Sequence, residues 1–335
     1  MRNLYILILS ILLLASCNPP PKSNYISLDG FTQGTTYHIT YESPDSIDYQ
    51  NDIEIILANF DSSLSTYNQS SVITKINNNQ SDYADHCLQT VFNKAEEVYK
   101  RTNGAFDITV APLVNAWGFG FKNKSEITKP LIDSILNFVG FDKISLKDSL
   151  IIKTDPRVMI DMNAIAQGYS VDVIADFLDK KEIENYLVEI GGEVKTKGVN
   201  HKQKAWRIGI DKPIDNNMIP GENLQAIITL NNKSLATSGN YRKFYERDGI
   251  KYSHTINPKT GYPVTHTLLS ATVIANDCMT ADAYATAFMV LGLEKAFELV
   301  EKLPDIEAYF VYSDENGDYC VKSTPGMNDW IEEVH

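Results

Sequence analysis

Positive charge is scarce in this chain of 335 residues. Lys and Arg together number 30, against 43 Asp and Glu, which gives a formal net charge of -13 and a pI of about 4.9. Proteins that bind nucleic acids neutralise phosphates with basic patches, so this balance argues against a nucleic-acid partner. A polyphosphate ligand would need a metal ion or local backbone donors to be held in so acidic a protein.

Cysteine and histidine are also few, with 4 Cys and 6 His. No two cysteines have C-x-x-C spacing, and no zinc or redox motif is present. Apart from Cys17, the chain has Cys87, Cys278 and Cys320. These three could form at most one disulfide, which the sequence does not assign, and structural thiols are the default expectation.

The common nucleotide-binding and hydrolase signatures are missing. The chain has no G-x-G-x-x-G, no G-x-x-x-x-G-K-[ST], no H-E-x-x-H and no G-x-S-x-G. If the protein binds a dinucleotide, it does so without a Rossmann or P-loop cradle. No internal repeat, long linker or membrane-spanning run follows residue 17.

The N-terminus has the pattern of a targeting segment. Arg2 precedes a mostly apolar run at 4–14, and Leu14-Ala15-Ser16 stands directly before Cys17. This resembles a bacterial lipoprotein signal over 1–17, which implies cleavage before Cys17 and lipidation of its thiol; the alternative is an ordinary signal peptide with a chance cysteine. A Pro-rich tether is predicted over 18–30. We therefore expect an extracytoplasmic protein, on the periplasmic side, anchored by lipid to a bacterial membrane.

What the chain has in quantity is apolar and aromatic residues, 43% and 10% respectively, enough for a large core. Apolar periodicity predicts helices at 51–64, 85–102, 129–139, 279–291 and 293–302, and one ending near 180. It predicts strands at 35–42, 143–146, 150–153, 158–161, 186–190, 206–211, 224–230, 234–237, 268–275 and 307–312. Their irregular alternation indicates an α+β fold: a single large catalytic domain over 31–335, with mixed sheets and packed helices.

Two neighbouring segments carry the residues best suited to chemistry. Residues 253–263 form a loop fixed by Pro and Gly that presents His254. Residues 281–286 read as the first turn of a helix that places Asp282 and Thr286 on one face. A carboxylate with a hydroxyl is ligation that Mg²⁺ or Ca²⁺ accepts. The alternative is a surface histidine and a helix-capping aspartate.

Two further segments combine glycine with acidic or aromatic residues. Residues 104–120 combine small residues, an acidic residue and two aromatics near Gly and Pro. This pattern indicates either a binding surface that the backbone approaches closely or a turn in the core with packed aromatic rings. Residues 161–169 read as a strand that ends in Asp161 and continues into a helix, in which Gly168 allows close packing or ligand approach.

Taken together, these segments resemble the ApbE family, the FAD:protein FMN transferases or flavin-trafficking lipoproteins. The resemblance covers nearly all of 31–322. In chain order, the matching blocks are 34–37, 65–67 with Ser71, 104–107, 112–113 with 117–120, 161–172, 191–193, 238–241, 254–263, and 281–282 with 285–286. Each block is weak alone, but their shared order behind a lipoprotein signal is a strong match.

The resemblance implies that FAD is the substrate, Mg²⁺ the cofactor, and FMN transfer to a Thr or Ser hydroxyl of a target protein the reaction, with release of AMP. It implies metal ligation by Asp282 and Thr286, completed by the backbone carbonyl of Ala164 and the position of Ala285. His254 is the candidate general base, since an imidazole has an ordinary pKa near 6.5. The implied flavin contacts are Gln33, Tyr67, Ala105, Phe106 and Asp107, and the implied adenosine or phosphate contacts are Asp161, Gln167 and Ile256.

Three positions depart from the family pattern. Gln33 stands where members commonly have Met, Gln167 where they often have Lys or Glu, and Asn257 where Asp usually precedes Pro258.

Two competing functions remain open from sequence: an FAD pyrophosphatase that gives FMN and AMP, and a non-catalytic FAD-binding lipoprotein. By family analogy the acceptor is an extracytoplasmic subunit of a membrane redox complex, carrying a short Asp/Ser/Gly/Thr-containing motif.

Overall fold

The computed structural model describes residues 24–119, 127–213, 221–240, 244–247 and 250–333. The predicted signal peptide, the lipidation site Cys17, Gly120 and Tyr241 lie outside these residues. Within them, the first strand already begins at Tyr25 and pairs along its whole length with the next. The predicted tether is therefore too long by residues 25–30, because Leu28 of this strand is buried in the core.

The described residues form eight α-helices and fifteen strands. The helices are α1 Gln50–Leu64, α2 Val72–Asn77, α3 His86–Arg101, α4 Ala111–Trp117, α5 Lys129–Leu136, α6 Ala166–Lys180, α7 Cys278–Leu291 and α8 Leu293–Val300. The strands are β1 Tyr25–Thr32, β2 Thr35–Glu42, β3 Ile144–Lys147, β4 Leu150–Lys153, β5 Tyr186–Ile190, β6 Glu193–Lys197, β7 Trp206–Asp211, β8 Leu224–Leu230, β9 Ser234–Gly239, β10 Phe244–Arg247, β11 Ile250–Ser253, β12 Leu268–Ala275, β13 Glu307–Ser313, β14 Tyr319–Ser323 and β15 Ile331–Glu333.

An eight-stranded antiparallel sheet is the centre of the fold. Its strand order is β1-β2-β5-β6-β9-β12-β13-β14. A second, three-stranded sheet has the order β15-β8-β7, and β3-β4 and β10-β11 are separate hairpins. Strands and helices are thus segregated into layers, and the predicted α+β class is confirmed.

The two faces of the large sheet bury different partners. Side chains of β9, β12 and β13 alternate between a core shared with the helices, which contains Ala236 and Val273, and a core shared with the small sheet, which contains Leu235 and Ile274. This period of two is what a strand buried on both sides requires. At the edge of the large sheet that begins with β1, helices α1 and α6 pack against β1, β2 and β5.

Local signals explain several helix ends. Asp85 caps α3 by accepting a hydrogen bond from the backbone N–H of Leu88, and Lys100 with Arg101 lie in its last turn. Asp277 caps α7 in the same way through Thr280 N–H, and Pro at the start of α4 and α5 is compatible with a first helical turn.

Most predicted elements are present, with three kinds of difference. The strand predicted at 158–161 is absent, because those residues run as irregular chain with no strand beside them. Helix α7 begins at Cys278, so Asp282 lies in its second turn rather than its first. The sequence did not predict β1, α2, α4, β6, β10, β11, β14 or β15. Cys87, Cys278 and Cys320 are all unpaired.

Among the described residues, no helix combines the length and apolarity needed to cross a bilayer.

Helices α6 and α7 touch at Gly168. A Cβ added there would lie 2.4 Å from the carbonyl oxygen of Cys278 and 2.7 Å from Cβ of Asp282. Asp172, one turn further along α6, accepts hydrogen bonds from the backbone N–H groups of Cys278 (3.0 Å) and Met279 (2.9 Å). The side chain of Lys195 also donates to Asp172, at 2.9 Å. The start of α7 is therefore fixed to α6 by a close contact and a shared carboxylate.

We predict that Gly168→Ala lowers the free energy of unfolding by about 1–3 kcal/mol, the usual cost of overpacking. Ala in an open helical position would instead stabilise the protein by roughly 1 kcal/mol, so the sign of the change tests the contact. Urea unfolding followed by circular dichroism measures it. Asp176→Ala, at an exposed position of α6, is the matched control and should change stability by less than about 0.5 kcal/mol. A Gly168→Ala variant as stable as the parent would contradict the proposed packing.

Candidate active site

A cavity of about 600 Å³ is lined by residues of α1, α6, α7, β7 and β9 and by the loops around them. It brings together residues predicted from distant parts of the sequence: His254, Gln33, Tyr67, Ala105, Phe106, Asp107, Asp161, Gln167, Ile256, Ala164, Asp282 and Thr286. Ala285 is the one predicted site residue within the described chain that is not part of this lining. Placement in one cavity supports a common site, while the individual roles stay predictions.

Asp282 is the most deeply placed carboxylate of the cavity. Its side chain is 7% exposed, and one oxygen accepts a hydrogen bond of 2.9 Å from the backbone N–H of Gly168. Burial raises the pKa of Asp282 to about 7, against the opposing effect of that hydrogen bond. The capping residue of α7 is Asp277 and not Asp282, so the alternative of a helix-capping role for Asp282 is wrong.

The oxygen groups near Asp282 suit a hard cation. Thr286 lies one turn further along α7 and lines the same cavity, as does Ala164 just before α6. A buried carboxylate with a single backbone hydrogen bond is stabilised by a cation, and a hydroxyl and a backbone carbonyl are ligands that Mg²⁺ accepts. Among the described residues, no three His, Cys, Asp or Glu side chains are grouped closely enough to hold a metal ion, so a metal here would depend on such mixed oxygen ligands and on the substrate.

His254 is presented by a tightly bonded loop. The backbone N–H of Val264 donates to the carbonyl oxygen of Thr255 at 3.0 Å, and Ile256 pairs with Pro263 in a single antiparallel β-bridge. The hydroxyl of Thr255 donates to the side-chain oxygen of Asn240 at 2.9 Å. The His254 ring is half-buried and meets the Phe119 ring edge-on at 6.4 Å. A half-buried imidazole at the wall of a cavity does not match the alternative of a surface histidine.

Asn257 closes the turn that follows His254. Its side-chain oxygen accepts hydrogen bonds from the N–H groups of Lys259 (2.9 Å) and Thr260 (3.3 Å). The indole N–H of Trp117 donates to Gly261 O at 2.8 Å, which fastens the turn to α4. Position 257 therefore needs an acceptor oxygen, and the amide supplies it as well as a carboxylate would.

Polar and aromatic residues form another part of the cavity wall. Gln33 and Gly34 form the two-residue turn between β1 and β2, with φ of 51° and 76°. The side-chain nitrogen of Gln33 is buried and lacks a hydrogen-bond partner among the described residues. Tyr67 is 73% exposed, whereas Phe106 is 2% exposed. Residues 104–119 thus contribute both to the cavity wall and, through Trp117, to the core.

Two acidic residues and Gln167 are held by local hydrogen bonds. Asp107 accepts from the N–H and the hydroxyl of Thr109, at 2.8 and 2.6 Å, and Asp161 accepts from Asn163 N–H at 2.8 Å. Burial raises the pKa of both carboxyls. The Gln167 side chain donates to Ile190 O at 3.1 Å. Its amide covers Gly191, where a Cβ would collide with it.

The charged side chains of the cavity wall are all acidic among the described residues. Six carboxylates line it, and among the described residues no Lys or Arg does; the six are Asp61, Asp107, Asp161, Glu193, Asp211 and Asp282. Such a wall repels a dissolved anion, so a phosphate-containing ligand requires added cations or backbone donors.

Sequence reasoning missed Asp61, Asp211 and Glu193 as cavity residues. Asp61 lies on the polar face of α1, which reads as solvent-exposed, and Asp211 ends a strand of the second sheet. Glu193 follows the Gly191-Gly192 turn, and its position in a recognised block was the only local signal.

Comparison with known proteins identifies the same family as the resemblance in the sequence. The model of the ApbE family matches residues 33–310. The chain is 37% identical over 310 residues to the FAD:protein FMN transferase of Vibrio cholerae serotype O1 (90% of this chain, 91% of the relative). It is 38% identical over 336 residues to that of Haemophilus influenzae (95% and 94%).

Solved structures agree with the sequence relatives. The flavin transferase ApbE from Vibrio cholerae superposes with a TM-score of 0.82 at 32% identity, covering 92% of this chain and 99% of that chain. The apo form of the Pseudomonas stutzeri flavinyl transferase ApbE gives a TM-score of 0.83 at 31% identity, covering 93% and 98%. A family match over most of the chain, with relatives of this identity along nearly their whole length, shows that the chain belongs to the ApbE family.

Proposed function

We propose that this chain is an FAD:protein FMN transferase, which moves the FMN part of FAD onto a Thr or Ser hydroxyl of an acceptor protein and releases AMP. The observation that carries the proposal is the cavity around Asp282 and His254. It joins a buried carboxylate, a hydroxyl and an imidazole in about 600 Å³, beside a wall that presents the aromatic Tyr67. The names of the relatives supply the reaction.

The electrostatics of the wall supports a metal requirement. Six carboxylates without a lysine or arginine in the described lining would repel the pyrophosphate of FAD. We propose Asp282, Thr286 and the carbonyl of Ala164 as the residues that hold Mg²⁺. When bound, Mg²⁺ would neutralise pyrophosphate charge and stabilise the departing phosphate. Ala285, the further position that the resemblance implies, is not part of the cavity lining, and its place in the metal site stays a prediction.

Proton transfer and positioning are assigned to residues of the chain. His254 accepts the proton of the acceptor hydroxyl as its oxygen attacks the phosphorus of the FMN phosphate. A phosphoester bond to the acceptor forms, the bond to the AMP phosphate breaks, and the electron pair leaves with AMP. The hydrogen bonds of Thr255 and Asn257 fix the loop that carries His254, which limits how far its backbone can move when FAD binds.

Flavin and adenosine placement remain proposals drawn from the resemblance. Gln33, Tyr67, Ala105, Phe106 and Asp107 line one part of the cavity and are assigned to the flavin ring. Asp161, Gln167 and Ile256 are assigned to the adenosine and phosphates. The side-chain nitrogen of Gln33 is a buried donor without a partner among the residues that the structure describes, and an acceptor atom at the flavin edge would satisfy it.

The cellular setting is also part of the proposal. We propose lipidation at Cys17, an extracytoplasmic position on a bacterial membrane, and an acceptor that is an extracytoplasmic subunit of a membrane redox complex. The signal-like segment before Cys17 supports the anchor.

The direct test is mass spectrometry of a Thr-containing acceptor peptide after incubation with residues 25–335, FAD and Mg²⁺. We expect a gain equal to FMN on the Thr, one AMP per modified peptide, and loss of both products with EDTA. A peptide without Thr or Ser is the control. Free FMN and AMP with unmodified peptide would instead identify an FAD pyrophosphatase, and intact FAD with every peptide of an Asp/Ser/Gly/Thr series would favour a binding protein.

We predict that His254→Ala slows FMN transfer by about 100- to 10,000-fold, the usual cost of removing a general base. FAD affinity, measured by quenching of flavin fluorescence, should change little, because the residue acts on the acceptor hydroxyl. His201→Ala, at an exposed histidine outside the cavity, should transfer FMN at the parental rate. Near-normal turnover of the His254 variant would remove it from the mechanism.

We predict that Asp282→Asn raises the Mg²⁺ concentration for half-maximal transfer by at least about tenfold, since it replaces a charged ligand by a neutral one. Asp211→Asn is the matched control, because it makes the same change elsewhere on the cavity wall and should leave the Mg²⁺ midpoint within about twofold. Equal midpoints for the Asp282 variant and the parent would show that Asp282 does not hold the metal.

A further inference from the structure

A second cavity opens beside the first. It has a volume of about 730 Å³. It shares four lining residues with the cavity of the candidate active site: Gln33, Asp61, Ser65 and Tyr67. The rest of its wall comes from the β1–β2 hairpin and from α1: Phe31, Thr32, Gly34, Tyr37, Glu54, Leu57 and Ala58. A group in this second cavity would therefore lie against the same wall as the flavin end of the first.

The second cavity is acidic. Glu54 and Asp61 contribute carboxylates, and no Lys or Arg is among its described lining residues. Glu54 is oriented by the Gln50 side chain, which donates to it at 2.9 Å, and by the Tyr37 hydroxyl at 3.4 Å. Phosphates are repelled by this arrangement, and a cationic group is attracted.

The mouth of the second cavity carries two large exposed rings. Phe31 is 72% exposed and Tyr67 is 73% exposed. Phe31 stands at the end of a rigid hairpin, since the whole of β1 pairs with β2 and the turn has only two residues, Gln33 and Gly34. Aromatic faces beside carboxylates are the surroundings that bind a lysine ammonium or an arginine guanidinium.

We propose that this second cavity receives a Lys or Arg side chain of the acceptor protein, and so selects acceptors with a basic residue near the modified Thr or Ser. The inference rests on the proposed function, because only a transferase has a protein acceptor. It places recognition of the acceptor on Phe31, Glu54 and Asp61, next to the flavin and outside the residues that act on the pyrophosphate. The opposite charges of the cavity and the side chain favour this occupant over FAD itself.

The test uses two sets of acceptor peptides. In one set a single Lys is moved along both flanks of the acceptor Thr; in the other, Gln replaces that Lys. We expect one Lys position to lower the KM for peptide by roughly threefold to thirtyfold against its Gln counterpart. Added salt should reduce this preference, because charge attraction is screened.

The enzyme variants locate the preference. Phe31→Ala and Glu54→Gln should abolish the difference between the Lys and Gln peptides while leaving the KM for FAD and the kcat within about twofold. Ile55→Ala is the matched control, because Ile55 is 53% exposed on the same helix and is not part of the cavity wall; it should keep the preference.

Each other outcome has a distinct meaning. No Lys preference in the parent enzyme, or a preference that survives in both variants, would overturn the inference and leave FMN transfer established. A higher KM for FAD in the Phe31 and Glu54 variants would assign the cavity to FAD and also overturn it. Absence of FMN transfer by the parent enzyme to every peptide would instead overturn the proposed function, and the inference with it.

Discussion

The site depends on the contact between α6 and α7. Gly168 lets the two helices approach until its backbone N–H reaches the Asp282 carboxylate at 2.9 Å. The same helix pair is fixed by Asp172, which accepts two backbone N–H groups at the start of α7 and the ammonium of Lys195. A side chain at 168 would separate the helices and move Asp282 and Thr286 away from Ala164. The geometry of the proposed metal site therefore depends on backbone packing as well as on the carboxylate.

The shortage of positive charge links the two cavities. Both walls carry carboxylates, and neither has a lysine or arginine among its described lining residues. An anionic substrate can bind at an acidic wall if cations from outside the chain, or backbone N–H donors, offset the repulsion. In our proposals a metal ion supplies that charge at the pyrophosphate, and the acceptor supplies it beside the flavin. An acidic protein can thereby select its ligands. FAD without a metal ion is repelled by the carboxylates, and a partner without a basic residue lacks the attraction that would hold it.

The limits of sequence reasoning follow the range of the interactions involved. Apolar periodicity predicted α1, α3 and β5 because a helix face or strand face is written in consecutive residues. It missed β1 and β15, whose existence depends on pairing with β2 and β8, and it predicted a strand at 158–161 that has no partner. The family resemblance supplied nearly all the cavity residues that we assigned. Asp61 and Asp211 escaped both methods, because nothing local distinguishes an acidic residue facing a cavity from one facing water.

The three departures from the family pattern show which positions depend on geometry and which on charge. Asn257 accepts two backbone N–H groups, a task that an amide oxygen performs as a carboxylate does. Gln167 uses its amide nitrogen to bond Ile190 O and to cover Gly191. Gln33 takes a positive φ in the hairpin turn and presents a buried donor to the cavity. None of these tasks needs a formal charge, whereas Asp282, which faces the proposed cation, is retained. In this chain the three departures keep local hydrogen bonds, and the acidic residue is present where our proposal places a metal ion.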